Sequence, residues 1–144
     1  MKQEEKRQLL LKDLYMRLPY GFTVHRYSDG RDITFGKNEL DEFSHFLEYS
    51  EGKEFKPYLR PMSSMTDEER QEAREKFFNG SDHYDIDDIG EIYADTYQPY
   101  TTVYTLSFAR LSGYIDWLNE HHLDFRGLIE MDLAIEEPDD MYRK

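Results

Sequence analysis

Apolar positions recur with helical spacing at the start of the chain. Leu11, Leu14, Tyr15 and Leu18 stand at i, i+3, i+4 and i+7 among charged neighbours, which predicts an amphipathic helix over about residues 3–18. Pro19 ends it, because the residue before a proline avoids the α region, and Gly21 completes the turn. The period then shortens to two. Thr23–Tyr27 and Asp32–Phe35 flank Ser28-Asp29-Gly30-Arg31, where Asp-Gly suits a two-residue type I′ turn with positive φ at both central residues. Val24, Ile33 and Phe35 are expected on the buried faces of this hairpin. Asn38 is placed to cap a second helix over about 39–50, with Leu40, Phe43, Phe46 and Leu47 as its stripe and Gly52 past its end.

Phe55-Lys56-Pro57-Tyr58-Leu59-Arg60-Pro61 reads as extended, since two prolines forbid a helix and confine any pairing to a sheet edge. Thr66-Asp67-Glu68-Glu69 is a capping box: the threonine hydroxyl accepts the Glu69 amide proton while the Glu69 side chain reaches back. The helix behind it, about 67–78, carries only Ala73, Phe77 and Phe78 as apolar residues and stops at Asn79-Gly80. Residues 81–100 read as a long loop with short ordered pieces, and a strand is expected at Thr101–Leu106. Phe108, Leu111, Ile115 and Leu118 then mark a helix over about 108–121, with Gly113 as its weak point. Asp124 fits as the cap of a last short helix through Leu133, and Leu128–Ile135 fits a strand equally well. The fold class is therefore α+β: one small domain over 1–144, with four to five helices and a small antiparallel sheet made of the 23–35 hairpin and one or two further strands. Residues 79–100 form an acidic, Tyr/Asp-rich loop or insertion within it.

Composition narrows the class. Hydrophobic residues make up 38% of the 144 and aromatic ones 15%, enough apolar volume to offset chain entropy, so the chain is expected to fold rather than stay disordered. No cysteine is present, which removes disulfide and thiolate chemistry and fits a reducing compartment. Met1-Lys2-Gln3-Glu4-Glu5-Lys6 has no apolar run behind it, and no later run approaches the length of a membrane span, so a cytoplasmic protein without a signal peptide is expected. Charge is unevenly placed. Residues 1–60 hold 11 basic and 11 acidic side chains, whereas residues 61–144 hold 7 and 20, so the whole net charge of −13 lies in the second half. Such a field repels nucleic acid and anionic lipid, both of which bind through phosphate neutralisation, and favours a protein partner with a basic surface.

The candidate chemistry is sparse. The acidic stretch invites a cation, but counted from Asp85 the fifth and twelfth positions of a calcium loop fall on Ile89 and Thr96, so no metal and no cofactor is expected. His121-His122-Leu123-Asp124 is the most chemical-looking group, and these two histidines with Asp124 are the weak catalytic candidates. Adjacent helical histidines point about 100° apart, however, and an imidazole at a helix C-terminus is explained by the macrodipole, so the same quartet reads as a joint between helices. No Gly-x-Ser-x-Gly elbow, Ser-x-x-Lys pair or glycine-rich phosphate loop occurs. Tyrosine is a favoured contact residue, and Asp82, Tyr84, Asp85, Asp87, Asp88, Glu91, Tyr93 and Tyr97 form the candidate partner-binding set.

Two segments carry a resemblance. Phe55-Lys56-Pro57-Tyr58-Leu59-Arg60-Pro61-Met62-Ser63-Ser64-Met65-Thr66 is one, and Ile115-Asp116-Trp117-Leu118-Asn119-Glu120-His121-His122-Leu123-Asp124-Phe125-Arg126-Gly127-Leu128-Ile129-Glu130 is the other. Together with Leu10–Leu14 and Arg17–Gly21 they resemble a family of small proteins of uncharacterised function from gut Bacteroides genomes, prophages and phages. The resemblance implies a mobile-element origin; it carries over no activity and no functional residue. In that family the chain passes more briefly from the capping-box helix to the histidine-pair helix, so residues 79–107 read as an elaboration. Three functions stay open on this basis: an interaction protein binding a basic host or phage protein, a small acid–base or metal-assisted enzyme at His121, His122 and Asp124, and a structural or oligomer-forming accessory domain. The sequence leaves the oligomeric state unknown.

Overall fold

A computed structural model describes residues 2–49, 54–78, 84–87, 90–94, 108–138 and 141–142. The strand expected at 101–106 lies outside them, as do Asp82, Asp88 and Tyr97. Helix α1 (Gln3–Arg17) runs into a short 3-10 turn and is followed by strands β1 (Phe22–Arg26) and β2 (Arg31–Phe35), helix α2 (Leu40–Tyr49) and strand β3 (Phe55–Leu59). Helix α3 (Asp67–Ala73) continues as a wider π-type turn through Phe78; β4 (Tyr84–Ile86), β5 (Ile92–Ala94), α4 (Phe108–Glu120) and β6 (Ile135–Glu136) complete the order. The class is α+β, with four α-helices among the described residues.

The main sheet has the order β2-β1-β3-β6 and is mixed rather than purely antiparallel. β1 pairs antiparallel with β2 and β3, whereas β6 joins β3 in parallel through Tyr58↔Ile135 and Leu59↔Glu136. The chain reaches β6 only after crossing by way of α4, and a crossover of that kind returns a strand in the parallel sense. The placement of β3 at an edge is also overturned, because β3 is central. Tyr27 donates to the Glu54 carbonyl and His25 faces Lys56, so even-numbered β3 residues bond towards β1. Pro57 therefore turns its nitrogen to the other side, where pairing with β6 begins only at Tyr58, and its missing N–H interrupts no rung.

The 22–35 hairpin forms, but its register is shifted by two residues from the one a two-residue Asp29-Gly30 turn would set, because Arg26↔Arg31 closes a four-residue loop over Tyr27–Gly30. Only Gly30 takes a positive φ there, at 72°. Asp29 accepts from the Arg26 guanidinium and from the Arg31 amide, and these bonds favour the longer loop over a type I′ pair.

Two apolar clusters form the core. The first packs Leu10, Leu14 and Leu18 of the first helical segment, Phe43 and Phe46 of α2 and the inner face of the sheet, including Phe22, Val24, Phe35, Phe55 and Leu59. Its rings meet mostly edge-on or tilted, with Phe22–Phe43 centroids at 5.1 Å and Phe46–Phe55 at 5.1 Å, the arrangement their quadrupoles favour. The second gathers Met65, Ala73, Phe78, Ile86, Tyr114, Trp117, Leu118 and Leu123 around α4. Each fully buried Leu or Phe contributes about 1.5–3 kcal/mol, which makes these clusters the main source of stability.

The helical stripes are rotated from their expected places. The face of α1 that turns inward carries Leu10, Asp13, Leu14 and Arg17, while Tyr15 is exposed. Ionic side chains thus occupy core positions, and they meet where the sheet forks. Beyond Tyr58 the β1 side of β3 is taken over by the chain after α4: the Arg60 N–H donates to the His122 carbonyl at 2.8 Å and the Asp124 N–H to the Arg60 carbonyl at 2.8 Å.

Candidate functional site

The fork is built from charge pairs. Arg17 and Asp13, one helical turn apart, are both fully buried and paired at 2.8 Å, and Arg17 also donates to the Leu123 carbonyl at 2.8 Å. Arg126 reaches the second oxygen of Asp13 at 2.6 Å. Arg60, 1% exposed, clasps Glu69 with both terminal nitrogens, at 2.8 and 2.7 Å, and also donates to Ser64 and to the His121 carbonyl. Glu137 lies 3.8 Å from its Nε. Glu69 is at once the capping-box residue of α3, accepting from the Thr66 amide, so one carboxylate starts a helix and neutralises a buried guanidinium. Burial pushes its pKa up, but the bonds from Arg60 and Thr66 outweigh that and hold it at about 2.

The predicted histidine quartet stands at this joint, with its members turned to different partners. His121 Nδ1 lies 2.8 Å from the Trp117 carbonyl and its ring stacks on the Trp117 indole at 4.0 Å. His122 closes α4 in the left-handed conformation, φ 61°, while the Leu123 amide bonds back to Leu118 and its own amide to Asn119, a Schellman ending with histidine in the usual glycine place. Its ring stacks on Tyr142 at 3.7 Å and 12°. Burial, with Arg17, Arg60 and His121 nearby, lowers its pKa to about 4, so the imidazole is neutral at pH 7. Asp124 accepts from the Leu128 and Ile129 amides with its two oxygens. It caps a turn rather than a helix, and the strand that follows is confined to Ile135–Glu136. The quartet joins elements, and the imidazoles and the carboxylate do not converge on a common point of attack. Spare polar capacity remains in Arg17 Nη1, the Asn119 amide and His122 Nδ1, which are buried without a partner among the described residues. Among the described residues no group of three or more His, Asp or Glu side chains is placed to hold a metal ion.

The candidate partner-binding residues separate into two kinds. Tyr84, Asp85 and Tyr93 lie in a β4–β5 hairpin whose register pairs Tyr84 with Ala94 and Asp85 with Tyr93. Asp85 pairs with Arg74 at 2.9 Å, and Asp87 shapes the turn by accepting the Glu91 amide proton at 2.9 Å. Both have structural tasks. Glu91 is exposed, as are Glu68 on α3, Asp116 and Glu120 on α4, and Glu130 and Glu136. The hairpin is fastened to α4 by the Tyr114 hydroxyl, which donates to the Gly90 carbonyl at 2.6 Å.

Sequence reasoning passed over one further group. On the outer face of the main sheet, His25 Nδ1 lies 2.9 Å from Asp32 Oδ1, and the Tyr58 hydroxyl donates to the same oxygen at 2.9 Å. The His25 bond lowers the Asp32 pKa; burial and then Asp32 raise that of Tyr58 to about 12. Alternation along β1, β2 and β3 puts the three residues on one face, but only the pairing register makes them neighbours.

Comparison with models of protein families, with curated proteins and with solved structures finds no match for this chain. Fold and site define it as a small α+β protein in which a buried ionic fork joins three separate stretches of sequence. Asp13–Arg17, Arg60–Glu69 and His121–Arg126 supply that fork, and they overlap the segments on which the family resemblance rests.

Proposed function

We propose that this is a non-enzymatic interaction protein of phage or prophage origin whose acidic second half docks on a basic surface of a host protein. The observation that carries the reading is the disposition of charge. Residues 61–144 hold all of the net −13. Within them Arg70, Arg74, Lys76 and Arg126 are already paired with Asp67, Asp85, Glu72 and Asp13. Glu68, Glu91, Asp116, Glu120, Glu130 and Glu136 face solvent. A surface with so many uncompensated carboxylates attracts a cationic partner and accelerates its encounter. The structural engagement of His121, His122 and Asp124 supports this reading over an enzyme at that quartet.

The test is affinity capture with a variant that spares the structural acids. Glu68→Lys, Asp116→Lys, Glu120→Lys and Glu130→Lys together reverse exposed charges and leave Asp85, Asp87, Glu69 and Asp124 in place. The wild-type chain is expected to retain a basic protein from a Bacteroides lysate at low salt, and the folded variant to lose it. Retention of the same protein by both chains overturns the reading.

A further inference from the structure

The stretch after β6, a strap described at residues 137–138 and 141–142, enters the sheet at an unusual point. β1 and β3 pair through Arg26↔Phe55, His25↔Lys56 and Val24↔Pro57, so the next rung belongs to Thr23 and Tyr58. The strands have begun to diverge there, because beyond Tyr58 the 122–124 segment occupies the β1 side of β3. The Tyr142 hydroxyl fills the gap. It accepts the Thr23 N–H at 2.9 Å and donates to the Tyr58 carbonyl at 2.8 Å, the closer of two acceptors, the Thr23 carbonyl being at 3.4 Å. One side-chain oxygen thus replaces a direct ladder bond and satisfies a donor and an acceptor that the fork leaves apart. Among the described residues the strap is also held by the Glu137 amide, which donates to Leu59, by the Tyr142 amide, which donates to Glu137 at 3.1 Å, by Met141 bonded back to Pro138, and by Glu137 lying 3.8 Å from Arg60 Nε.

The Tyr142 ring lies flat on His122, and His122 is the titratable group under the strap. The groups that disfavour a charge on its imidazole are Arg17 from α1, Arg60 just past β3 and the neighbouring His121. Among the described residues the carboxylates of the fork already have partners: Asp13 has Arg17 and Arg126, Glu69 has Arg60 and Thr66, Asp124 has two backbone amides, and Glu137, on the strap itself, has the Tyr142 amide and lies 3.8 Å from Arg60 Nε. An added proton on His122 therefore meets two buried guanidinium groups, while each of these carboxylates is already engaged. His122 is partly exposed but its Nδ1 is buried, and moving the strap aside opens that nitrogen to water. A short segment held mainly by a side-chain bridge opens locally at lower free energy than the body of a fold.

We propose that Tyr142 and the strap carrying it form an acid-operated latch, closed over the fork when His122 is neutral and released by protonation of His122 while the rest of the fold stays intact. Release uncovers the Thr23 N–H, the Tyr58 carbonyl and the His122 ring, a backbone donor and acceptor pair at the mouth of the fork. The inference does not depend on the acidic docking surface.

Amide hydrogen exchange, corrected for intrinsic rates, tests it on the full chain. On going from neutral pH to about pH 4, protection of the Thr23 amide should fall at least about fivefold, the scale of one lost hydrogen bond, while the amides of Val24, bonded to β2, and of Trp117, within α4, keep their protection. Tyr142→Phe keeps the ring stack and removes the bridge, so its Thr23 amide should be deprotected already at neutral pH. His122→Asn keeps a residue tolerant of the left-handed conformation and removes the titration, so its latch should stay closed in acid. Unchanged Thr23 protection in Tyr142→Phe overturns the latch. So does acid release at the same pH in His122→Asn, or loss of Thr23 protection only together with Val24 and Trp117.

Discussion

Arg60 touches Glu69, Ser64 and the His121 carbonyl from a fully buried position, so its value lies in what its removal leaves behind. Arg60→Ala is expected to cost about 3–5 kcal/mol in urea unfolding, because Glu69 and two carbonyl groups lose their donor inside the protein. Arg60→Lys should recover only part of that, since a lysine cannot span both oxygens of Glu69. Acid acts on the same residues. The pKa of His122 falls from 6.5 unfolded to about 4 folded, so the unfolded chain takes up the proton first and stability declines as pH falls from 6.5 towards 4, by about 3 kcal/mol in all. Glu69, at about 2 against an unfolded 4.5, adds a decline as pH falls from 4.5 to 2. Urea midpoints at pH 7 and pH 5 should differ in the wild type and differ less in His122→Asn; equal differences would remove His122 from the account. At this scale the capping box was legible, because Thr66 and Glu69 are three residues apart and need only a local helix. The partners of Arg60 were not, because a lone arginine between prolines carries no sign of burial and the turn that brings Ser64 and Glu69 back to it is set by packing, as is the approach of the His121 carbonyl.

The elements themselves were largely legible from their periods, and the errors share a cause. The faces of α1 and α4 turn by about one position from the apolar stripe: Asp13 and Arg17 face inward on α1, and Tyr114, Trp117 and Asn119 on α4. An apolar count treats a charged residue as exposed, and a neutralised pair like Asp13–Arg17 defeats it. The hairpin loop and the central position of β3 were misjudged for a related reason, since Asp29 bonding and the side to which Pro57 turns depend on pairing rather than composition. Two turns end in left-handed non-glycine residues, His122 and Asp132, both at φ 61°, and each has its side chain secured, one on Tyr142 and the other on Lys56 at 2.7 Å. The Gly90 position, in contrast, favours glycine through its backbone. Its φ is 76°, and a Cβ there would also come within 2.6 Å of Met62 Cε and 2.7 Å of Met65 Cε, flexible ends that must shift. Gly90→Ala is expected to destabilise by about 1–2 kcal/mol in thermal unfolding and to loosen the β4–β5 hairpin from Tyr114. A change below about 0.5 kcal/mol would mean that the hairpin is not seated on α4 as described.

Across the whole molecule, the division of charge was the most legible property, because it needs only counting, and it carries the functional proposal. The ionic fork was the least legible, because it joins residues more than 100 positions apart, such as Asp13 and Arg126. The two features occupy different parts of the protein: fork charges are buried and compensated, whereas the surface excess on α3, α4 and the later turns is neither. No helix of the described residues is long and apolar enough to cross a membrane, so docking on a protein is argued from this surface alone. An interface made by exposed carboxylates must weaken as counterions screen it, with a Debye length falling from about 10 Å at 0.1 M salt to about 3 Å at 1 M. The measurement that bears most directly on the proposal is therefore the dissociation constant of the captured partner at rising salt, for the wild type and for the chain with Glu68, Asp116, Glu120 and Glu130 reversed. The proposal predicts affinity that falls steadily with salt in the wild type, and a reversed chain that binds more weakly with a flatter dependence. An affinity indifferent to salt, or equal in the two chains, would contradict it.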